Sequence, residues 1–269
     1  MKRDYSLTLG IPTYNAERTI DALIHSAESM SKMTNIKLKI VVVDDVSTDK
    51  TEEHINNLMK VYDNITFIKN EHNTGLPSLG RSKVIKMADT DFVAFADSDD
   101  MILDCAHKEC MDYLYNSDLN TAAFRVLCAG PNNAYIRKFS NADEPMIVEN
   151  EDIFKIRRFT CIWNKVWKTD FIKQFEFDEC VGEDRLFCFM TYSKDFRVAI
   201  LPCVGYVHYF RKGIEKSLGQ RLGEKEVKKQ NDIVYIQKLK AGIEKYNVKE
   251  NKILHKLLLD DISRFEANL

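Results

Sequence analysis

Asp91-Phe-Val-Ala-Phe95-Ala-Asp97-Ser-Asp99-Asp100 is an apolar run that ends in three carboxylates. Phe92 to Phe95 is short, apolar and bounded by polar residues, which predicts a buried strand. Three carboxylates at the exit of one strand are costly unless something positive sits among them. A divalent metal carrying a diphosphate is the natural partner, which makes Asp97 and Asp99 the pivot of the functional reading. A helix cap is the plainer use of an Asp-x-Asp turn.

The same arrangement recurs upstream. Leu7-Thr-Leu-Gly-Ile11 predicts a first strand, broken by Pro12-Thr-Tyr-Asn15, and Ala16 to Met33 a helix with Ile20, Leu23, Ile24 and Ala27 on one face. Lys39-Ile-Val-Val-Val43 predicts a second strand, ended by Asp44-Asp-Val-Ser-Thr-Asp49. A helix over 51–60 follows, for which Thr48 or Asp49 supplies the cap. Ile65 to Ile68 is a third strand, Asn70 to Gly75 a loop, and Ser78 to Met87 a third helix. Near-continuous apolar strands alternating with helices predict a parallel sheet covered on both faces. Ligands bind such sheets beyond the C-terminal ends of the strands. Thr13–Asn15, Asp44–Asp49, Asn73–Gly75 and Asp97–Asp100 all fall on that rim.

Downstream the pattern loosens. Cys105 to Tyr115 predicts a helix, Thr121 to Leu127 and Ala134 to Phe139 strands of a mixed or antiparallel portion, and 150–158 a short helix. Gly182-Glu183-Asp184 opens a helix over 185–191. Phe196 to Ile200 and Tyr206 to Phe210 predict two late strands, and 218–269 is almost wholly helical.

The bulk numbers bound the answer. The 269 residues are 45% hydrophobic with a formal net charge of -2, enough for a sizeable core and without the basic footprint of a nucleic-acid binder. Seven scattered cysteines, none in a Cys-x-x-Cys pair, predict reduced and mostly buried thiols in a cytosolic setting. No apolar run approaches the ~18 residues of a membrane span, and the N-terminus carries no signal-peptide core. Neither Gly-x-Gly-x-x-Gly nor a P-loop motif is present, which argues against a dinucleotide oxidoreductase and a P-loop enzyme.

Several side chains are candidates for chemistry. Asp44 or Asp45 can accept from a base or a ribose hydroxyl, or can close an Asx-turn. Asp184 can serve as a general base, or merely favour the helix N-terminus it opens. Arg81, Lys165, Lys168, His208, Arg211 and Lys212 are the cations available to neutralise a diphosphate. Trp163 and Trp167, four apart, suit packing on one face, and Glu176, Asp178 and Glu179 read as a solvated acidic face.

Taken in order, these motifs resemble the inverting glycosyltransferases of GT-A fold called family 2, over residues 5 to 217. Ile11-Pro-Thr-Tyr-Asn15 resembles the family's opening. Val41-Val-Val-Asp44-Asp45-Val-Ser47-Thr-Asp49 resembles its Asp-Asp-x-Ser-x-Asp strand end, and Asn73-Thr-Gly75 its Asn-x-Gly loop. Phe95 to Asp100 resembles the nucleotide-diphosphate and metal motif, Trp163-Asn-Lys-Val-Trp-Lys168 the Trp-Asn-Lys segment, and Gly182-Glu183-Asp184 the catalytic motif. His208-Tyr-Phe-Arg211 through Ser217 resembles the basic closing segment. Two departures stand out: Ser82 replaces the asparagine after Arg81, and Ala96 a common leucine.

The resemblance implies an α/β GT-A fold, with a mostly parallel central sheet flanked by helices. It implies a catalytic domain over 1–217, made of a nucleotide-sugar half (5–115) and an acceptor half (116–217), with 218–269 as a helical extension. It further implies a donor site of Pro12, Thr13, Tyr14, Asn15, Asp44, Asp45, Asn73, Gly75, Arg81, Asp97, Ser98, Asp99, His208 and Arg211. Mn²⁺ or Mg²⁺ would lie on Asp99 and Asp97, with Asp184 as general base beside Glu183. The donor would be a nucleotide-diphospho-sugar, by default a UDP-sugar. The acceptor would be a glycan or lipid-linked hydroxyl in envelope polysaccharide synthesis, and the sugar a hexosyl or N-acetylhexosaminyl group. Alternatives are a related nucleotidyl-diphosphate transferase acting on a polyol phosphate, a hydrolase of the nucleotide-sugar, and a non-catalytic or weakly active nucleotide-sugar-binding partner in a glycan-assembly complex. The expected location is the cytoplasm, with peripheral contact at the inner membrane face. Lys249, Lys252, His255 and Lys256 lie beside Ile253, Leu254, Leu257 and Leu258, so the C-terminal helices can serve a membrane, a homodimer or their own domain.

Overall fold

The computed structural model describes residues 4–103, 105–156, 159–210 and 225–267. Its centre is a mixed sheet of ten strands among the described residues. β1 (Ser6–Thr13), β2 (Lys37–Asp44), β3 (Ile65–Lys69) and β4 (Phe92–Phe95) are parallel and lie in the order β3-β2-β1-β4. Helices α1 (Ile20–Thr34), α2 (Thr51–Leu58) and α3 (Ser78–Met87) connect them. This is the layered unit that near-continuous apolar strands require, since both faces need cover. Ile40 and Val42 are fully buried, as are Val93 and Ala94.

β1 does not break at Pro12. It runs to Thr13, with Pro12 opposite Val43 of β2. The Gly10 carbonyl accepts from Ala96 N–H and the Thr13 carbonyl from Asp45 N–H. Pro12 shares the parity of Gly10, so its missing N–H faces the β4 side, beyond β4's last paired residue. Proline is tolerated where no ladder bond is due. The first helix also starts later than expected, at Ile20, after a turn over 17–19. Asp49 rather than Thr48 serves α2, accepting the Thr51 N–H at 2.9 Å.

The second half departs further from the expected pattern. After β5 (Met101–Ile102) and α4 (Ala106–Tyr115), β6 (Thr121–Ala129) turns into β7 (Ala134–Arg137). β8 (Met146–Glu149), the single turn α5 (Asp152–Lys155), β9 (Lys165–Lys168), the turn α6 (Thr169–Ile172) and α7 (Glu183–Tyr192) follow. β5, β8 and β9 lie outside the sequence expectation; each has at most four residues, too few to show a period. The two late strands are one, β10 (Arg197–Tyr209), parallel to β6. Its register shifts between Ile200 and Val204 and again before Tyr206. Pro202 lies in the first shift, where a bulge spares the ladder. Gly205 lies in the second, where an added Cβ would come within 2.4 Å of the Ala106 Cβ, so only glycine lets α4 approach. β9 inserts antiparallel between β4 and β6 and joins the two halves.

The C-terminal segment is a hairpin of α8 (Lys225–Lys245) and α9 (Lys252–Glu266), joined through a short turn over Val248–Glu250. It packs on its own domain. Tyr235, Ile236, Leu239, Ile243, Leu254, Leu258 and Ile262 belong to the same buried cluster as the sheet. The acidic run keeps its contact with solvent, with Glu176 and Glu179 exposed, and it also carries ion pairs. Glu176 pairs with Lys245, and Asp178 lies 3.5 Å from Lys238, both lysines on α8. The seven cysteines are free thiols, four of them buried. Among the described residues no helix is long and apolar enough to cross a membrane.

His107 on α4 is fully buried beside Phe124, with neither ring nitrogen hydrogen-bonded, and burial lowers its pKa to about 4. Its folded pKa lies below the unfolded value, so the unfolded chain binds more protons between those limits, and stability falls as pH drops from 7 to 4. Over that range the wild type should lose about 3 kcal/mol more than His107→Leu, read from denaturant melts at both pH values. Parallel pH dependence in the two proteins would refute it.

Candidate active site

The strand exits converge as the alternation of strands and helices demands. β1 ends beside the 44–49 turn, where Asn15, at φ 51, accepts the Thr48 N–H and donates its own N–H to the Ser47 hydroxyl, each at 2.8 Å. Asp44 is fully buried, and its carboxylate takes the Ser47 hydroxyl and N–H, so it closes an Asx-turn. Asp45 faces the other way. It accepts from the Asn70 amide at 2.8 Å, from the Thr74 N–H and hydroxyl, and from the Gly75 N–H at 2.9 Å. Asn73 donates to the Asp45 carbonyl at 2.8 Å. Asp45 thus orders the Asn73–Gly75 loop, with Gly75 at φ 70. Beside these, Thr13 is buried with an unpartnered hydroxyl, and Tyr14 is 40% exposed.

Arg81, on α3, occupies the centre of the rim. It is 5% exposed, yet its guanidinium reaches two carboxylates from distant parts of the chain. It donates to Asp97 at 3.0 Å and to Glu183 at the first turn of α7. Burial opposes its charge, but Glu183 and Asp97 raise its pKa overall. Arg81 therefore has both carboxylates as its partners.

Gly182, at φ 85, makes the left-handed turn that starts α7. Glu183 is buried against Arg81, and burial pushes its pKa up to about 7 despite the arginine. Asp184 is partly exposed, and its Oδ1 accepts the Arg185 N–H at 2.7 Å. Burial raises its pKa too, against Arg81 and Lys165. The two adjacent carboxylates thus differ: Glu183 is tied to arginine, while Asp184 keeps lone pairs for a proton.

After β4, Asp97 receives Arg81 on one oxygen, and its backbone N–H donates to the Tyr206 hydroxyl at 2.9 Å. Ser98 is partly exposed and Asp99 exposed. Asp100 is buried and accepts the Tyr209 N–H at 2.9 Å; it lies 3.0 Å from His208 Nδ1. Burial works against the His208 charge, but Asp100 and Asp97 raise its pKa overall. Trp163 stacks on both Tyr206 and His208, centroids 5.2 Å apart in each case. Trp167 is instead buried in β9, so the two tryptophans do not share a helix face. Lys165 is buried and donates to the Cys161 carbonyl at 2.6 Å, and Lys168 donates to the Ser117 carbonyl at 3.0 Å. Lys165 also donates to the Asn164 amide oxygen at 3.0 Å. Arg211 and Lys212 lie outside the described residues.

Among the described residues no three His, Cys, Asp or Glu side chains gather into a metal cage. Asp97 and Asp99, two positions apart on one turn, are hard oxygen donors. Such a pair fits Mg²⁺ or Mn²⁺ that takes its remaining ligands from water and substrate phosphates.

Residues 8–179 match the family described as Glycosyl transferase family 2. The chain belongs to that family. Over 206 residues it is 26% identical to the poly(ribitol-phosphate) beta-N-acetylglucosaminyltransferase TarS of Staphylococcus aureus, a match covering 74% of this chain and 34% of TarS. It is 25% identical to the glycosyltransferase GlyA of Streptococcus pneumoniae, covering 78% of this chain and 31% of GlyA. The chain thus spans about a third of the length of these relatives. The crystal structure of S. aureus TarS 1-349 in complex with UDP-GlcNAc superposes with a TM-score of 0.66 at 23% identity, covering 86% of this chain and 66% of that one. That likeness extends the family's fold into the C-terminal part of the chain.

The sequence places most of the site's parts on the rim, but it does not disclose three partnerships. These are Asp100 with His208, Trp163 across Tyr206 and His208, and Arg81 shared by Asp97 and Glu183. A faint signal for the first was the third carboxylate of Asp97–Asp100, which needs a partner of its own. Removing one partner of a buried pair strands the other's charge. Arg81→Met should therefore destabilise the protein by about 3 kcal/mol at pH 8.5. The loss should shrink at pH 5, where Glu183 is protonated in both proteins. Urea unfolding at the two pH values measures this, and an equal loss at both would contradict it.

Proposed function

We propose that this chain transfers a sugar, with inversion, from a nucleotide-diphospho-sugar to a hydroxyl of a glycan or lipid-linked envelope acceptor. The observation that carries the reading is the divided carboxylate pair at the start of α7. Glu183 is locked by Arg81, while Asp184 is largely buried but still partly exposed, its pKa raised by burial and one oxygen fixed by the Arg185 N–H. A carboxylate so held is suited to take the proton of an attacking hydroxyl.

In this reading Asp184 removes the acceptor O–H proton as the oxygen attacks the anomeric carbon. The bond from that carbon to the diphosphate oxygen breaks on the opposite face, its electrons leave with the nucleoside diphosphate, and the centre inverts. Mn²⁺ or Mg²⁺, held by Asp99 and Asp97 with the donor phosphates, would supply Lewis-acid neutralisation of the leaving group. His208, oriented by Asp100 and Trp163, lies on the same rim to face the diphosphate. Asp45 presents the ordered Asn73–Gly75 loop to the nucleotide, together with Pro12, Thr13, Tyr14 and Asn15. Ser98 sits between the two metal-side aspartates, and Arg211 is assigned to the same closing segment.

The donor is assigned as a UDP-sugar, delivering a hexosyl or N-acetylhexosaminyl group. UDP and UDP-GlcNAc are named in complexes of TarS. A phosphate-bearing acceptor agrees with Arg137, whose guanidinium lies 5.9 Å from the Trp163 ring centre beside the site, and with the poly(ribitol-phosphate) named for TarS. We place the protein in the cytoplasm at the inner membrane face. Exposed Ile253 and Leu259 lie on α9 with Lys252 and Lys256.

The test is release of nucleoside diphosphate from a panel of nucleotide-sugars with Mn²⁺, with and without poly(ribitol-phosphate). Asp184→Asn should lower kcat by about 10²–10⁴ while leaving donor KM nearly unchanged. Asp99→Ala should abolish metal-dependent donor binding. Because Asp184 must be ionised, wild-type kcat should fall with decreasing pH through a value above the ordinary aspartate range. Donor binding without turnover on any acceptor would favour a non-catalytic partner role, and nucleotide-sugar cleavage without a glycosylated product a hydrolase.

A further inference from the structure

The turn that carries Asp184 is contacted from outside the sheet by the C-terminal hairpin. A Cβ added to Gly182 would lie 3.5 Å from the Tyr235 ring of α8. Arg185, the residue after the base, is directed toward α9. Its guanidinium pairs with Asp261 and sits 5.2 Å from the Phe189 ring centre and 5.7 Å from that of Phe265. Tyr235 and Phe265 pack at 5.0 Å, so ring, guanidinium and carboxylate form one unit.

Asp261 is 5% exposed, and its Oδ2 and the Tyr235 hydroxyl are buried without hydrogen-bond partners. A hairpin retained only for packing gains nothing from a carboxylate in such a seat, because burying it costs free energy. The pairing does have a consequence at the site. The N–H of Arg185 holds Asp184 Oδ1 at 2.7 Å. The residue whose side chain is tied to α9 is thus the one whose backbone N–H holds that oxygen.

Other charged groups reach Asp184 from every side. Arg81 comes from α3, Asp97 from the end of β4, Lys165 from β9, and Glu183 from its own turn. Arg185 is a cation with a flexible stem immediately beside the base in sequence. Anchoring its head on α9 keeps it from folding onto Asp184.

We propose that Asp261 is a positioning residue for Asp184. Through Arg185, the C-terminal hairpin sets the orientation of the base and so forms part of the active site. This rests on the reading of Asp184 as the general base.

The experiment uses the full chain with Asp261→Asn, Asp261→Glu and, as control, Lys245→Met. The control severs the hairpin's ion pair to Glu176 far from the turn. A misaligned base costs rate rather than donor affinity, so Asp261→Asn should lower kcat about tenfold with donor KM within about twofold. Asp261→Glu should recover part of that loss, and Lys245→Met should keep wild-type kcat. Hydrogen–deuterium exchange across residues 180–187 gives a readout independent of turnover. Protection should drop in Asp261→Asn and persist in Lys245→Met. Unchanged exchange in Asp261→Asn, or an equal fall of kcat in the control, would overturn the proposal. A wild type without turnover, whose exchange still responds to Asp261→Asn, would sink the transferase reading and keep the brace.

Discussion

One buried cation holds the rim together. Arg81 sits in the layer between α3 and the sheet, where an arginine is expensive, and it meets that cost with two carboxylates. Asp97 comes from the end of β4 and Glu183 from the start of α7, more than eighty residues apart in the chain. The ion pair therefore sets the distance between the Asp97–Asp100 turn and the Gly182–Asp184 turn. It also separates two neighbouring acids chemically: Glu183 is tied to arginine, and Asp184 retains its proton-accepting capacity.

The sheet makes that meeting possible. β1 to β4 bring the first four polar turns to one edge, and β9 stitches β4 to β6 so that the second half continues the same surface. β10 then brings Tyr206 and His208 beneath the Asp97–Asp100 turn, two residues apart on one face. Trp163 covers both rings. The result is a histidine fixed by a buried carboxylate on one edge and an indole on its face, an arrangement that permits little rotation.

The match to glycosyl transferase family 2 covers the strands from β1 to β9 together with Asp97 and Asp99, since the matched span ends at residue 179, and β10 lies beyond it. The Gly182–Asp184 turn and the hairpin lie beyond it, and their roles rest on geometry. There the packing is specific. Gly242 of α8 approaches Met190 so closely that an added Cβ would lie 2.7 Å from its sulfur, and Gly182 meets Tyr235. Two ion pairs, to Glu176 and Asp178, fasten the same helix to the segment that leads into the Gly182–Asp184 turn.

The sequence by itself determined the alternating first half, because period and polarity there are local properties. Ser78–Met87 and Phe92–Phe95 could be placed to the residue. It also determined which side chains lie on the rim, because every parallel strand delivers its C-terminal loop to the same edge. What it left open was partnership. Pro12 read as a break because nothing local shows that its missing N–H faces a gap. β10 read as two strands because bulges erase the period at Pro202. The ion pairs of the acidic run at 176–179 could not be read because its lysines lie some sixty residues downstream. Only tertiary structure decided that Arg81 serves two acids, that Asp100 holds His208 and that Asp261 reaches Arg185. Long-range ion pairs leave no periodic trace in a sequence, since their geometry exists only once the strands and helices between them have packed.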